Sequence, residues 1–222
     1  RWRAALRYGY GAQQEDKVKA IAVLTSGGDG PGLNAVIRSV TRQALAHGVE
    51  VYGVRWGYRG LVNGEISPLT SRDVGGKMGY GGTILGTARC PEFQDIKVRR
   101  TALRNLHQNG IEGLVVIGGN GSLTGALALD EMGLPTYGVP ASIDNDINGT
   151  DTAVGVDTTL NTILDAIDRI KDTASSHQRA FLIEVMGRDC GYLALASGIA
   201  GGAEMIMIPE RPGPPAEEIA AA

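Results

Sequence analysis

A cluster of glycines placed directly after an apolar run and directly before an amphipathic stretch limits the fold of this chain more than any other feature. The backbone there must turn sharply out of a buried strand and into a helix. The pattern occurs twice. Lys19–Thr25 (KAIAVLT) reads as a buried strand; the turn Ser26-Gly27-Gly28-Asp29-Gly30-Pro31-Gly32 follows, and then Leu33–Ala46, whose Leu33, Ile37, Val40 and Ala44 share one helical face. Ile111–Ile117 (IEGLVVI) is a second strand of this kind, followed by Gly118-Gly119-Asn120-Gly121-Ser122 and a helix over Ser122–Met132.

The intervening elements repeat the order. Val49–Arg55 is expected as a strand, Asp95 as the N-cap of a helix ending at Asn109-Gly110, and Thr136–Val139 as a strand between two prolines. Leu160, Ile163, Leu164, Ile167 and Ile170 mark a further helix, and Tyr192–Ile199 a small-residue helix between expected strands at Phe181–Val185 and Met205–Ile208. Strand, turn and helix in alternation predict an α/β fold built on doubly wound, Rossmann-like parallel sheets. Residues 1–16 are expected to be an N-terminal extension, 17–155 one α/β domain and 156–222 part of a second. The proline-rich PERPGPPAEEIAAA is expected to open a helix that does not finish.

Glycine numbers 33 of 222 residues, roughly twice average usage, and the excess sits in these turns, in Gly79–Thr83 and in Gly198–Gly202. With 43% hydrophobic and 20% charged residues, disordered and fibrous chains are excluded. Lys and Arg total 21 against 24 Asp and Glu, a net charge of −3, so neither nucleic acid nor an anionic membrane is an expected partner. Cys90 and Cys190 stand apart without metal-ligand spacing, which fits a reducing cytoplasm. The start of the chain lacks the apolar stretch of a signal peptide.

The two strand-to-helix glycine turns fall on the carboxyl edge where open α/β sheets bind ligands. One such loop alone reads as a tight turn; two on the same edge read as a phosphate cradle of backbone N–H groups and helix N-termini. Neither matches GxxxxGK[ST] or GxGxxG, so Walker-type and NAD-binding readings lose ground. Ser142 precedes an acidic turn, Asp144–Asp151, that imitates a calcium loop but has Gly155 where the closing glutamate belongs. It reads either as a capping and Asx-turn cluster or as a general base beside a metal-side carboxylate. Arg89, Arg179 and Arg188 stand in loops, and of these Arg188 follows an expected strand at the binding edge, where its fork suits phosphate. His47 and His107 suit helix C-termini, and His177 stays open.

The segments LTSGGDGPGLNA, GGTILGTAR, VVIGGNGSLTGA, SIDNDINGTD, AIDRIKDTASSHQR, EVMGR and GIAGGAE, in this order, resemble the 6-phosphofructokinase family from about Ala20 to Glu210. Chains of that family continue through further sugar-phosphate residues, so this sequence is expected to be a C-terminally truncated piece, inactive alone. The resemblance implies transfer of the γ-phosphoryl of ATP, with Mg²⁺, to the 1-hydroxyl of fructose 6-phosphate. It implies Asp144 as the base, Ser142 beside it, and Asp146 with Asn120 on the metal side. Gly28, Arg89, Cys90 and Gly119, Asn120, Gly121 and Ser122 would hold ATP. Met186, Gly187 and Arg188 would line the sugar phosphate, with Arg188 also neutralising transition-state charge. Arg179 would reach a neighbouring subunit's site in a homotetramer. Arg38, Arg42, Lys171, Gly202 and Glu204 correspond to an allosteric nucleotide site, although Arg38 and Arg42 read equally as solvated helix arginines.

Some positions depart from or qualify the family pattern. Asn120 replaces a usual aspartate, Ser142 a threonine and Lys171 an arginine. Gly121 and Ala141 stand where pyrophosphate-using members commonly have an aspartate and a lysine, which favours ATP as donor. The competing readings are a pyrophosphate-dependent enzyme, a regulatory subunit that binds sugar phosphate without turnover, and the NAD-kinase and lipid-kinase group. That last group lacks the SIDND and MGR elements.

Overall fold

In a computed structural model that describes residues 18–215 and Glu217, the chain builds a five-stranded sheet in the order β3-β2-β1-β4-β5. The elements are β1 Ala20–Ser26, α1 Leu33–Ala46, β2 Glu50–Val54, α2 Gly57–Asn63, β3 Ile66–Pro68, α3 Ile96–Gln108, β4 Gly113–Gly118, α4 Asn120–Asp130, β5 Thr136–Pro140, α5 Val156–His177 and α6 Tyr192–Gly201. The extension expected over 1–16 and, Glu217 aside, the helix expected to open in the closing segment lie outside the described residues.

Strands β2, β1, β4 and β5 are parallel, in register at Ile21↔Val51, Val23↔Val115 and Val116↔Gly138. Their alternate residues divide the core in two. Ala22, Leu24, Leu114 and Val116 face Tyr58, Leu61, Ala102, Leu106, Ala126 and Leu129 of α2, α3 and α4. Val23, Val51 and Ile117 face Leu33 and Ile37 of α1, with Leu69, Val74 and Leu85 from the segment between β3 and α3. Both faces of the sheet are thus covered, as a parallel sheet requires.

The doubly wound parallel sheet carries one antiparallel edge: β3 pairs with β2 antiparallel, Gly53↔Ser67. It is three residues long and ends in Pro68, which lacks the N–H that a further neighbour would need. Phe181–Val185 and Met205–Ile208, expected as buried strands, form no ladder among the described residues. Leu182 is 83% exposed and Met207 40%, so apolar runs alone did not provide the partner that a strand needs. Two elements were not expected at all, α2 and β3. Gly64, at φ 75°, turns the chain back there, with Arg55 N donating to Glu65 O at 3.0 Å and Glu65 N to Gly60 O at 2.8 Å. Beyond the sheet, α5 packs on α6, with Ile167 against Gly201. No helix among the described residues is long and apolar enough to cross a membrane.

Candidate active site

The strand order reverses direction between β1 and β4, and a crevice opens beyond the carboxyl ends of neighbouring strands at such a point. Ser26 and Gly118 are register partners there. A Cβ on Gly118 would collide with the Ser26 carbonyl oxygen and the Ser122 side chain, so glycine is what allows the two strand ends to close up. Both glycine loops therefore leave the sheet side by side, and both line one cavity of about 840 Å³.

A third loop is fastened across this edge by side chains of β1 and α1. Asn34 Nδ2 donates to Tyr80 O at 2.9 Å, and Asn34 Oδ1 accepts from Ile84 N at 2.8 Å. Thr25 Oγ1 donates to Gly86 O at 3.0 Å and, having one proton, accepts from Thr83 Oγ1 at 2.8 Å. Thr87 Oγ1 donates to Gly27 O at 2.7 Å. These bonds deliver Arg89 and Cys90 to the cavity wall. Burial, and then Glu92, push the Cys90 thiol up, so this side chain is a neutral contact group and not a nucleophile.

The acidic turn enters from β5. Ala141 N donates to Gly118 O at 3.0 Å and Val154 N to Pro140 O at 3.0 Å, which fixes both ends of the turn. Within it Asn145, at φ 53°, donates through Nδ2 to Asp151 O at 3.1 Å and accepts from Ala153 N at 2.9 Å. The Asx-turn work is thus done by Asn145, and α5 starts at Gly155 without a side-chain cap. Neither Asp144 nor Asp146 is spent on holding the backbone; both line the cavity. Asp144 is half-buried, and its carboxyl is pushed up by burial and then by Asp146, with Arg188 opposing. Such a group keeps more proton affinity than a free carboxylate, which suits a base.

Of the residues expected in the site, Gly28, Arg89, Cys90, Gly119, Asn120, Gly121, Ser122, Ser142, Asp144, Asp146, Met186 and Arg188 share this cavity. Gly187 lines an adjoining one of about 280 Å³, together with Met186 and Arg188. Arg179 lies outside both, past the end of α5, where its N–H closes on Ala174 O at 3.1 Å. The residues expected to bind an effector form two groups: Arg38 donates to Val74 O at 3.3 Å, while Lys171 Nζ donates to Gly201 O at 2.8 Å beside Gly202. Arg42 and Glu204 are exposed. No hydrogen bond or ion pair joins the two groups among the described residues.

One wall of the cavity was missed from sequence. Tyr58 of α2 and Phe93 of the 3-10 turn Pro91–Gln94 stack with ring centroids 4.1 Å apart, and Arg99 lies along the same wall with a buried Nε that has no partner. Together the two rings offer an apolar ledge, and the unpartnered Arg99 Nε lies buried beside it. No motif links these three positions, and only the fold gathers them.

Among the described residues no group of three or more His, Cys, Asp or Glu side chains gathers as a metal site. Mg²⁺ commonly needs only one or two carboxylates, with waters and substrate phosphates completing its shell. Asp146 fits that role, with Asn120 opposite it.

Comparison with known proteins agrees with this architecture. A family model described as phosphofructokinase matches residues 20–221. The chain is 60% identical over 193 residues to the ATP-dependent 6-phosphofructokinase of Macrococcus caseolyticus and 58% identical over 193 to that of Bacillus pumilus, covering 87% of this chain and 60% of each relative. It therefore spans about three fifths of the length of the curated relatives it matches. Among solved structures it is similar to phosphofructokinase from Saccharomyces cerevisiae, with TM-score 0.82 and 44% identity over 90% of this chain and 30% of that one. It is also similar to the pyrophosphate-dependent phosphofructokinase from Marinobacter aquaeolei, with TM-score 0.77 and 25% identity over 89% and 54%. The sheet, the two glycine loops at its switch point and the acidic turn beside them all lie inside the matched span, and the chain belongs to the phosphofructokinase family.

Proposed function

We propose that the protein to which this chain belongs transfers the γ-phosphoryl of ATP to the 1-hydroxyl of fructose 6-phosphate, giving fructose 1,6-bisphosphate and ADP. The observation that supports it most is the placement of Asp144, which is half-buried and has its proton affinity raised, in one cavity with both glycine loops and Arg188. The hydroxyl oxygen forms the new bond to phosphorus, the bond to the ADP oxygen breaks, and Asp144 receives the hydroxyl proton. Gly28, Gly119, Asn120, Gly121 and Ser122 offer backbone N–H groups and a helix N-terminus to the ATP phosphates, and Arg89 supplies a fork for the transferring group. Tyr58 and Phe93 form the ledge for the nucleoside, beside Arg99 and Cys90. Met186, Gly187, Arg188 and Ser142 face the sugar phosphate, and Arg188 balances charge as it builds.

Asp146 would hold Mg²⁺ together with the phosphates, and the bound ion would supply positive charge to the phosphoryl oxygens. The ATP-binding unit is assigned to residues 17–155, and residues 156–222 are assigned to part of the sugar-phosphate unit. Arg179 is assigned to a neighbouring subunit's site in a homotetramer, and Arg38, Arg42, Lys171, Gly202 and Glu204 to an effector site; the cytoplasm is the assigned compartment. Coupled assays of the full-length protein with fructose 6-phosphate test the reading, using ATP or pyrophosphate as donor. Turnover with ATP supports it. Turnover with pyrophosphate alone, or binding of sugar phosphate without turnover, overturns it.

A further inference from the structure

The glycine loop after β4 and the acidic turn after β5 meet at one pair of side chains. Asn120 Nδ2 donates to Asp146 Oδ2 at 3.0 Å and lies 3.5 Å from Asp146 O, while Ser142 Oγ donates to Asp146 Oδ1 at 3.4 Å. A carboxylate only accepts hydrogen bonds, so the nitrogen end of the Asn120 amide must face it. Both oxygens of Asp146 thus have donors, and among the described residues no ion pair neutralises it. Asp144 lies two residues away on the same turn, so negative charge concentrates on one side of this seam while the opposite side offers only a neutral donor.

We propose that Asn120 is a positioning residue that closes the seam between the two loops without a cation, its neutral amide meeting the Asp146 carboxylate where a second carboxylate would call for a divalent ion. The chemistry behind this is a matter of charge alone. Asparagine and aspartate have nearly the same shape, but an aspartate here would set two carboxylates face to face at this separation, and they would repel unless a cation lay between them. With asparagine the ligand-free loops are already joined. The inference deepens the phosphoryl-transfer reading by assigning the metal requirement to one residue. Its test reads stability in the absence of nucleotide, so it can fail while that reading stands.

The test is thermal unfolding of the full-length, nucleotide-free protein in EDTA and along a MgCl₂ titration at constant ionic strength, for the native chain, Asn120→Asp and Asn120→Asp/Asp146→Asn. The native midpoint is expected to be unmoved by Mg²⁺. Asn120→Asp is expected to fall by a few degrees in EDTA and to recover as Mg²⁺ is added. The double variant exchanges the amide and the carboxylate across the seam and is expected to recover in EDTA without any cation. A native midpoint that climbs with Mg²⁺ as steeply as that of Asn120→Asp overturns the proposal, and so does a double variant no more stable than Asn120→Asp. Should Asn120→Asp fail to fold in EDTA, the double variant decides: restored folding supports the seam, and continued failure refutes it.

Discussion

The phenol of Tyr58 donates to the carbonyl of Ser122 at 2.6 Å, which ties α2 to the first turn of α4 just behind the glycine loop. The ring also fills the space left by Gly125, where a Cβ would come within 2.8 Å of it, and it stacks on Phe93. Burial pushes its phenol far above the ordinary range, so the proton stays on and the bond persists at any working pH. One residue thereby sets the height of the loop that would hold phosphate.

Tyr58→Phe removes this donor and leaves a buried carbonyl without its partner. The full-length variant is expected to lose ~1–3 kcal/mol in urea unfolding and to show a raised KM for ATP. An unchanged midpoint together with an unchanged KM would show that α2 does not support the loop.

Asp144→Asn keeps the shape of the acidic turn while removing the group proposed to accept the hydroxyl proton. Turnover is expected to drop by ~10²–10⁴-fold while both ligands still bind, as measured by single-turnover kinetics and calorimetric titration. A variant that turns over near the native rate would remove Asp144 from the role of base.

Gly121 has open space around it: a Cβ there meets nothing within 4 Å. Gly121→Asp should therefore fold normally, and its effect should fall on the ligand through like-charge repulsion of the nucleotide phosphates. Loss of ATP affinity with an unaltered thermal midpoint is the expected result. A fall in stability with no change in ATP affinity would refute it.

Thr41 is wholly buried on the inner face of α1, and its hydroxyl has no partner. Thr41→Val replaces that oxygen with a methyl of similar size. It should stabilise the chain by about 1 kcal/mol, read from the denaturation midpoint at constant slope. A destabilised variant would mean that the hydroxyl finds a partner in solution.

How much of the molecule was legible in its sequence depends on how local each cause is. The helix cap at Asp95 is a contact between residues two apart, and Asp95 Oδ1 does accept from Lys97 N at 2.8 Å. The strands β1 and β4 announce themselves as apolar runs closed by glycine, and that pattern alone puts the loops after them on one edge. Tyr58, Phe93 and Arg99 could not be joined this way, because they come from three elements and meet only through packing on the sheet. Helix α2 was hidden because two of its seven residues are glycine, and it is held by backbone bonds around Gly60 and by Tyr58, not by its own propensity. The segments at Phe181 and Met205 misled in the opposite direction: they have the composition of strands but no ladder among the described residues. The acidic turn was legible as an alternative and not as an answer, since only the bonds of Asn145 showed which residue of the cluster does the structural work.

The pairing of β1 with β4 joins positions as far apart in sequence as Ile21 and Gly113, with α1, β2, α2, β3 and α3 threaded between them. A contact of that span is costly to close, because the entropy of the intervening chain must be met before the ladder rewards it. The cleft at its end therefore cannot exist in a half-folded chain. A ligand seated there would bind only molecules in which the central ladder is complete, and by mass action it would protect the amides of Val23, Val115 and Val116 from exchange as a group. An occupied cleft would then lengthen the time for which the innermost strands stay paired.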